Sequence, residues 1–161
     1  MSLDIFEPMR QYRAVLSLLL AVFAVFLVSC SGGPSTSQGP TYTDAEMQLL
    51  QSYKATIAKF RDRATELDGF IQQQEWNDIK SLIHGPLGEL RFRLSTVARS
   101  LEPKAQSQAK EVADDTLRAI VLVDEAAARF DPAAASIAYD RLIQDFDRFL
   151  DLIPDFESGA A

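Results

Sequence analysis

The stretch DAEMQLLQSYKATIAKFRDRATELDGFIQQ, residues 44–73, decides the fold. Within it Leu50, Tyr53, Ile57, Phe60, Ala64, Leu67 and Ile71 recur at alternating steps of three and four. That spacing lines a single face of a helix with apolar side chains. Thr43 with Glu46 three residues on fits a capping box, in which the hydroxyl and the carboxylate satisfy amides that have no partner inside the helix. A first helix is therefore expected from near Asp44, with Gly69 near its end.

The same pattern repeats outward, punctuated by glycine and proline, which are absent from residues 41–68, 89–102, 104–131 and 133–153. A second helix is expected from Glu75 or Trp76, where Trp76, Ile79 and Ile83 continue to Leu87, Leu90, Leu94, Val97 and Leu101. Pro86 interrupts it, because proline removes a backbone donor and clashes with the carbonyl four residues back, so a kink or short break is expected at residues 84–88. Pro103 suits the first position of a third helix with Ala109, Val112, Thr116, Ile120, Val123, Ala127 and Phe130 on one face, ending near Arg129. Asp131 and Pro132 repeat the device as N-cap and first residue of a fourth, whose Ala135, Tyr139, Leu142, Phe146, Phe149 and Ile153 run to Pro154. No comparable run of alternating β-branched residues supports a sheet. The expected architecture is all-α, an up-down-up-down four-helix bundle at residues 43–154.

The N-terminus belongs to export rather than to the fold. Arg10 and Arg13 precede an uncharged run over residues 14–28, rich in Leu, Val and Phe and shorter than the roughly 20 apolar residues of a membrane-spanning helix. It ends in Leu27-Val28-Ser29-Cys30, similar to the bacterial lipobox, with the chain's one cysteine at the position that is acylated. Residues 1–29 are thus expected as a cleaved lipoprotein signal peptide and residues 30–42 as a lipidated flexible tether, since SGGPSTSQGPT offers almost nothing to bury. Acyl chains on Cys30 would hold the domain to a membrane without spanning it. Residues 155–161 are expected as a disordered tail.

Composition narrows the function. A formal charge of −7 disfavours nucleic acid, because neutralising phosphates needs a surplus of Lys and Arg on one face. One Cys and one His cannot form an intramolecular disulfide or the usual zinc ligand set. There is no glycine-rich phosphate loop and no His-Glu-x-x-His, and the single imidazole, His84, forces no catalytic triad, so neither an enzyme, a cofactor nor a small-molecule substrate is expected. His84 itself reads first as a structural imidazole bonding a backbone group freed by Pro86, then as a partner contact, and last as a metal ligand. Asp140, Asp147, Asp151 and Asp155 read as a solvated helix face rather than a calcium site, since three of them are i, i+4 neighbours and do not wrap an ion.

Charge is divided unevenly along the chain. Residues 54–110 hold ten bases and seven acids, whereas residues 111–157 hold four bases and twelve acids. The first two helices are therefore the expected docking face for an anionic partner, with Lys59 and Arg63 one turn apart and Arg91 as a further candidate.

Particular words in the sequence add to this. Glu75-Trp76-Asn77, Ile83-His84-Gly85-Pro86-Leu87-Gly88-Glu89-Leu90-Arg91, Leu101-Glu102-Pro103-Lys104, Ala109-Lys110-Glu111-Val112 and the ending Asp145-Phe146-Asp147-Arg148-Phe149-Leu150-Asp151-Leu152-Ile153-Pro154, together with the lipobox, resemble the cyanobacterial PsbQ-like lipoproteins, the CyanoQ family. The likeness spans the signal through Pro154, with residues 114–128 and 131–135 matching less closely. It implies a four-helix extrinsic subunit of photosystem II, lipid-anchored on the lumenal side of the thylakoid membrane. Such a subunit stabilises the oxygen-evolving complex, with its manganese-calcium cluster, without supplying the cluster's ligands. The implied partners are the core antenna and other lumenal extrinsic subunits. Cys30 would be the lipid-attachment residue, and His84, Gly85, Pro86 and Arg91 match the motif as candidate partner contacts. The alternative from another class is a cell-envelope helical lipoprotein acting as a periplasmic adaptor or chaperone, which would expose a sizeable apolar groove.

Overall fold

The computed structural model describes residues 42–155. The expected signal peptide, the acylation at Cys30, the tether before Tyr42 and the tail after Asp155 lie outside the described residues.

All regular structure among the described residues is helical, in six segments: α1 (Asp44–Ala64), α2 (Glu66–Gln73), α3 (Trp76–His84), α4 (Leu90–Ser100), α5 (Pro103–Ala128) and α6 (Pro132–Asp151). The capping box at the start of α1 is formed, with the Glu46 N–H donating to the Thr43 hydroxyl at 3.3 Å and the Thr43 N–H donating to Glu46 Oε2 at 2.8 Å. These bonds favour the ionised carboxylate and hold Glu46 below the usual glutamate range. Pro103 and Pro132 open α5 and α6 as expected, and the Asp131 carboxylate accepts the Ala134 N–H at 3.0 Å.

The first expected helix is divided. At Thr65 the hydroxyl donates to the Asp62 carbonyl at 2.6 Å and the N–H donates to the same carbonyl at 3.2 Å, which tightens the turn and restarts the helix as α2. Gly69 consequently lies inside α2, and the end comes at Gln74, in the left-handed conformation with φ 57°. The apolar stripe crosses the irregularity, since Ala64, Leu67 and Ile71 are all buried.

α1 packs on α6 and α4, α2 on α3 and α6, and α5 lies against α6, α4 and α3. Being covered on three sides, α5 buries a wide face: Ala113, Ala119 and Ala126 join the expected Ala109, Val112, Ile120, Val123 and Ala127. Small side chains there let neighbouring helices approach closely. Thr116, also buried, donates its hydroxyl to the Val112 carbonyl at 2.8 Å, and among the described residues no buried side-chain N or O lacks a partner. Phe146 and Phe149 of α6 are fully enclosed.

Phe130 corrects the expectation. It was placed on the apolar face of the third helix, but the chain leaves the helix after Ala128 and turns through a positive φ of 56° at Phe130, whose side chain is 65% exposed.

The two ends of the domain are defined by contacts far apart in sequence. At one end the Glu102 N–H donates to the Tyr42 hydroxyl at 2.7 Å, Gln51 donates to the Pro154 carbonyl at 2.7 Å, and Lys54 pairs with Asp155. At the other, Trp76 and Phe130 meet edge to face with ring centroids 6.0 Å apart.

Candidate functional site

The corner between α3 and α4 is built from Gly85, Pro86 and Gly88. Pro86 cannot donate to the carbonyl of Leu82, and the Leu87 N–H takes that acceptor instead at 3.1 Å. The Gly85 N–H donates to Ser81 at 3.0 Å and the Gly88 N–H to Gly85 at 3.0 Å, which closes the corner on its own backbone. Gly85 is required by space: a Cβ there would stand 2.7 Å from the Ser81 carbonyl oxygen.

Because the corner satisfies itself, His84 is not needed to do so, and the expected backbone bond is replaced by another. Its Nε2 lies 3.1 Å from both carboxylate oxygens of Asp124 on α5, so the ring N–H donates across to the neighbouring helix. The His84 side chain is otherwise exposed. His84 and Asp124 supply two potential metal ligands, and among the described residues no group of three or more His, Cys, Asp or Glu converges. Asp124, forty residues away in sequence, carries no local signal of this role.

Lys59 and Arg63 occupy the exposed side of α1, and Arg63 reaches Glu66 at 3.2 Å. A groove of about 160 Å³ lies between α1 and α4, lined by Tyr53, Thr56, Phe92, Arg93 and Thr96. Arg93 sits in that groove with its guanidinium carbon 5.7 Å from the Phe92 ring centroid and its Nη2 2.7 Å from Glu89. Phe92 is 62% exposed. Two residues apart on a helix is a rotation of about 200°, so Arg91 faces the opposite flank of α4 from Arg93. Lys59 and Arg63 thus share the exposed side of α1, whereas Arg91, also exposed, faces away from the groove. Phe92 and Arg93 were missed by sequence reading; an aromatic out of phase with the stripe of Leu90, Leu94 and Val97 was the available signal.

The acidic half behaves differently from a freely solvated face. Arg61 of α1 clasps Asp147 of α6 through two bonds of 3.0 and 3.2 Å, which raises the guanidinium pKa further. Arg148 bonds Asp145 at 2.8 Å, and Arg118 bonds Asp115 at 3.2 Å, beside a surface recess of about 250 Å³ that Arg141 also lines. Tyr139, half-buried at the α6 surface, has its phenol pushed up chiefly by burial. None of these groups forms a nucleophile-base pair; what the surface offers is shape, charge and exposed aromatics.

Among the described residues no helix is long and apolar enough to cross a membrane. The family model for PsbQ, oxygen evolving enhancer protein 3, matches residues 9–154. The chain is 39% identical over 147 residues to CyanoQ of Synechocystis sp., which covers 91% of this chain and 98% of that protein. A helical domain with a self-satisfied Gly-Pro corner, matched almost end to end, belongs to the PsbQ family of photosystem II proteins of the oxygen-evolving complex.

Proposed function

We propose that the chain is a lipid-anchored extrinsic subunit on the lumenal side of the thylakoid membrane, which stabilises the oxygen-evolving complex by docking and does no chemistry of its own. In this reading residues 1–29 are removed, Cys30 carries the acyl chains, residues 30–42 are the tether, residues 43–154 are the docking domain and residues 155–161 the tail. The six helical segments act as four rods in up-down-up-down order, α1 with α2, α3 with α4, then α5 and α6. Membership of the PsbQ family carries the proposal.

Three considerations support it. Lys59 and Arg63 share the exposed side of α1, a turn apart, which offers two cations to an anionic protein surface. Arg61 to Asp147 and His84 to Asp124 cross-link separate helices at the surface, which suits a rigid spacer between lumenal subunits. An anchor of two or more acyl chains raises the effective concentration at a membrane-bound partner, so that modest contacts suffice. A chaperone would need room for a client segment; the two recesses described, at about 160 and 250 Å³, are each smaller than a usual small-molecule site.

The bundle would act by bridging neighbours and excluding bulk solvent from inorganic ions that others hold. Reversing Lys59 and Arg63 to Glu should weaken binding of the full chain to photosystem II membranes lacking it. Unchanged affinity would refute this docking face, and an unchanged calcium or chloride requirement for oxygen evolution after depletion would refute the stabilising role.

A further inference from the structure

The seam between α5 and α6 holds an arrangement of charge that docking through α1 does not use. A recess of about 250 Å³ opens along it, with Arg118 and Leu122 on the α5 wall and Arg141, Gln144 and Asp145 on the α6 wall. Three of the four bases in residues 111–157, Arg118, Arg141 and Arg148, gather here, in the stretch of chain where acids dominate. Two of them are spent on carboxylates. Arg118 donates to Asp115 at 3.2 Å, Arg148 donates to Asp145 at 2.8 Å, and the same Arg148 Nη1 stands 3.9 Å from Asp115, which joins the two helices in one chain of ion pairs. Asp145, whose side chain is only 13% exposed, is thereby neutralised where water reaches it least.

Arg141 is left over. Its guanidinium makes no ion pair or hydrogen bond among the described residues, and neither does the side-chain amide of Gln144, three residues further along the same flank of α6. The carboxylates on the wall are thus engaged, while these N–H donors are not. Ala119, which is buried, and Leu122, which is half-buried, supply an apolar lining beside them. Free donors, one surplus positive charge and an apolar lining in a space smaller than a usual small-molecule site suit a small anion carried on a hydrocarbon stem. A carboxylate fits best, because its two oxygens accept parallel bonds from a guanidinium fork.

We propose that the α5–α6 recess is a carboxylate-binding site, in which Arg141 holds the anion through its fork, Gln144 donates a further N–H, and Ala119 and Leu122 receive the aliphatic stem. A free short-chain carboxylate and the glutamate side chain of a docked protein carry this same chemistry, and the test separates the two sources. The site stands on the recess alone and does not depend on docking through α1.

The isotope-labelled full chain is titrated with sodium butyrate at fixed ionic strength, and the Arg141 Nε–H and Gln144 amide signals are followed by NMR. A saturable shift with a dissociation constant roughly in the millimolar range is expected, since the surrounding acids oppose an anion, and sodium chloride at the same ionic strength should give none. Arg141→Ala should weaken binding by about tenfold or more, and Arg141→Lys, which keeps the charge but not the fork, should fall between it and the wild type. Both variants should melt with the wild type, because Arg141 has no partner among the described residues to lose. Co-sedimentation with photosystem II membranes lacking the chain then identifies the source. Binding lowered both by butyrate and by Arg141→Ala assigns the carboxylate to a partner's side chain; binding that neither alters assigns the site to a free carboxylate. Absence of a saturable shift, an equal shift with chloride, or a shift that survives Arg141→Ala overturns the proposal.

Discussion

Gly85→Ala should destabilise the domain, and the structure gives both the sign and the size. The added Cβ would lie 2.7 Å from the Ser81 carbonyl oxygen, inside any normal contact, and the obstacle is backbone rather than a mobile side chain. That carbonyl is itself engaged by the Gly85 N–H at 3.0 Å, so it cannot swing away without losing the bond that ends α3. Rotating the Gly85 backbone, now at φ −96° and ψ −99°, would instead redirect the corner and pull Leu87 and Leu90, which are 2% and 1% exposed, from the core. Relief by either route costs about 1–3 kcal/mol. At about 4 °C per kcal/mol for a domain of this length, Tm should fall by roughly 8 °C at the middle of that range. Gly69→Ala is the internal control, since its Cβ would meet nothing closer than Gln73 Nε2 at 3.8 Å and α2 would gain a better helix former. It should raise stability by about 0.5–1 kcal/mol. Thermal unfolding followed at 222 nm reads both. A Gly85→Ala protein that melts with the wild type would refute the account of the corner, whatever Gly69→Ala does.

Further outcomes follow from other sites. Phe130→Gly should melt above Phe130→Ala by about 4 °C, because both lose the Trp76 contact but only glycine removes the roughly 1 kcal/mol penalty of the left-handed turn; equal melting would contradict that turn's strain. Glu46 is held below its ordinary range chiefly by the Thr43 N–H, so its ionised form stabilises the fold above the unfolded pKa of about 4.3, and that contribution is lost as pH falls through the lowered folded value. The Tm difference between wild type and Glu46→Gln should accordingly be constant from pH 7 to 5 and shrink below about pH 4. Phe146→Ala empties a fully enclosed site and should cost about 3–5 kcal/mol in denaturant unfolding; a loss under about 1 kcal/mol would mean that α6 is not packed as described.

Helix positions were legible because they are written in local chemistry. The stripe from Leu50 to Ile71, the Thr43–Glu46 box and the two proline starts each depend on residues within a turn or two of one another. The break at Thr65 was not legible, since it arises from a hydroxyl turning back on the Asp62 carbonyl while the apolar spacing continues undisturbed. The wide buried face of α5 also escaped a single-stripe reading, because it comes from having three neighbours, which only the assembled fold supplies.

The site divides along the same line. The Gly85-Pro86 corner could be read from two residues, whereas the partner of His84 could not, as Asp124 sits on another helix and looks like any surface acid. Phe130 fell on the expected apolar phase but beyond the point where the helix ends, so periodicity pointed it inward and the turn sent it out. Lys59 and Arg63 share the exposed side of α1, as i, i+4 spacing on a helix entails, and the rotation of α4 turns Arg91 away from Arg93.

The central claim is that this chain is a docked subunit of photosystem II, and recovery of its native partners tests it most directly. A C-terminally tagged chain isolated from detergent-solubilised thylakoids should bring down photosystem II subunits, identified by mass spectrometry, in an eluate that evolves oxygen. Recovery of cell-envelope proteins without photosystem subunits would contradict the account.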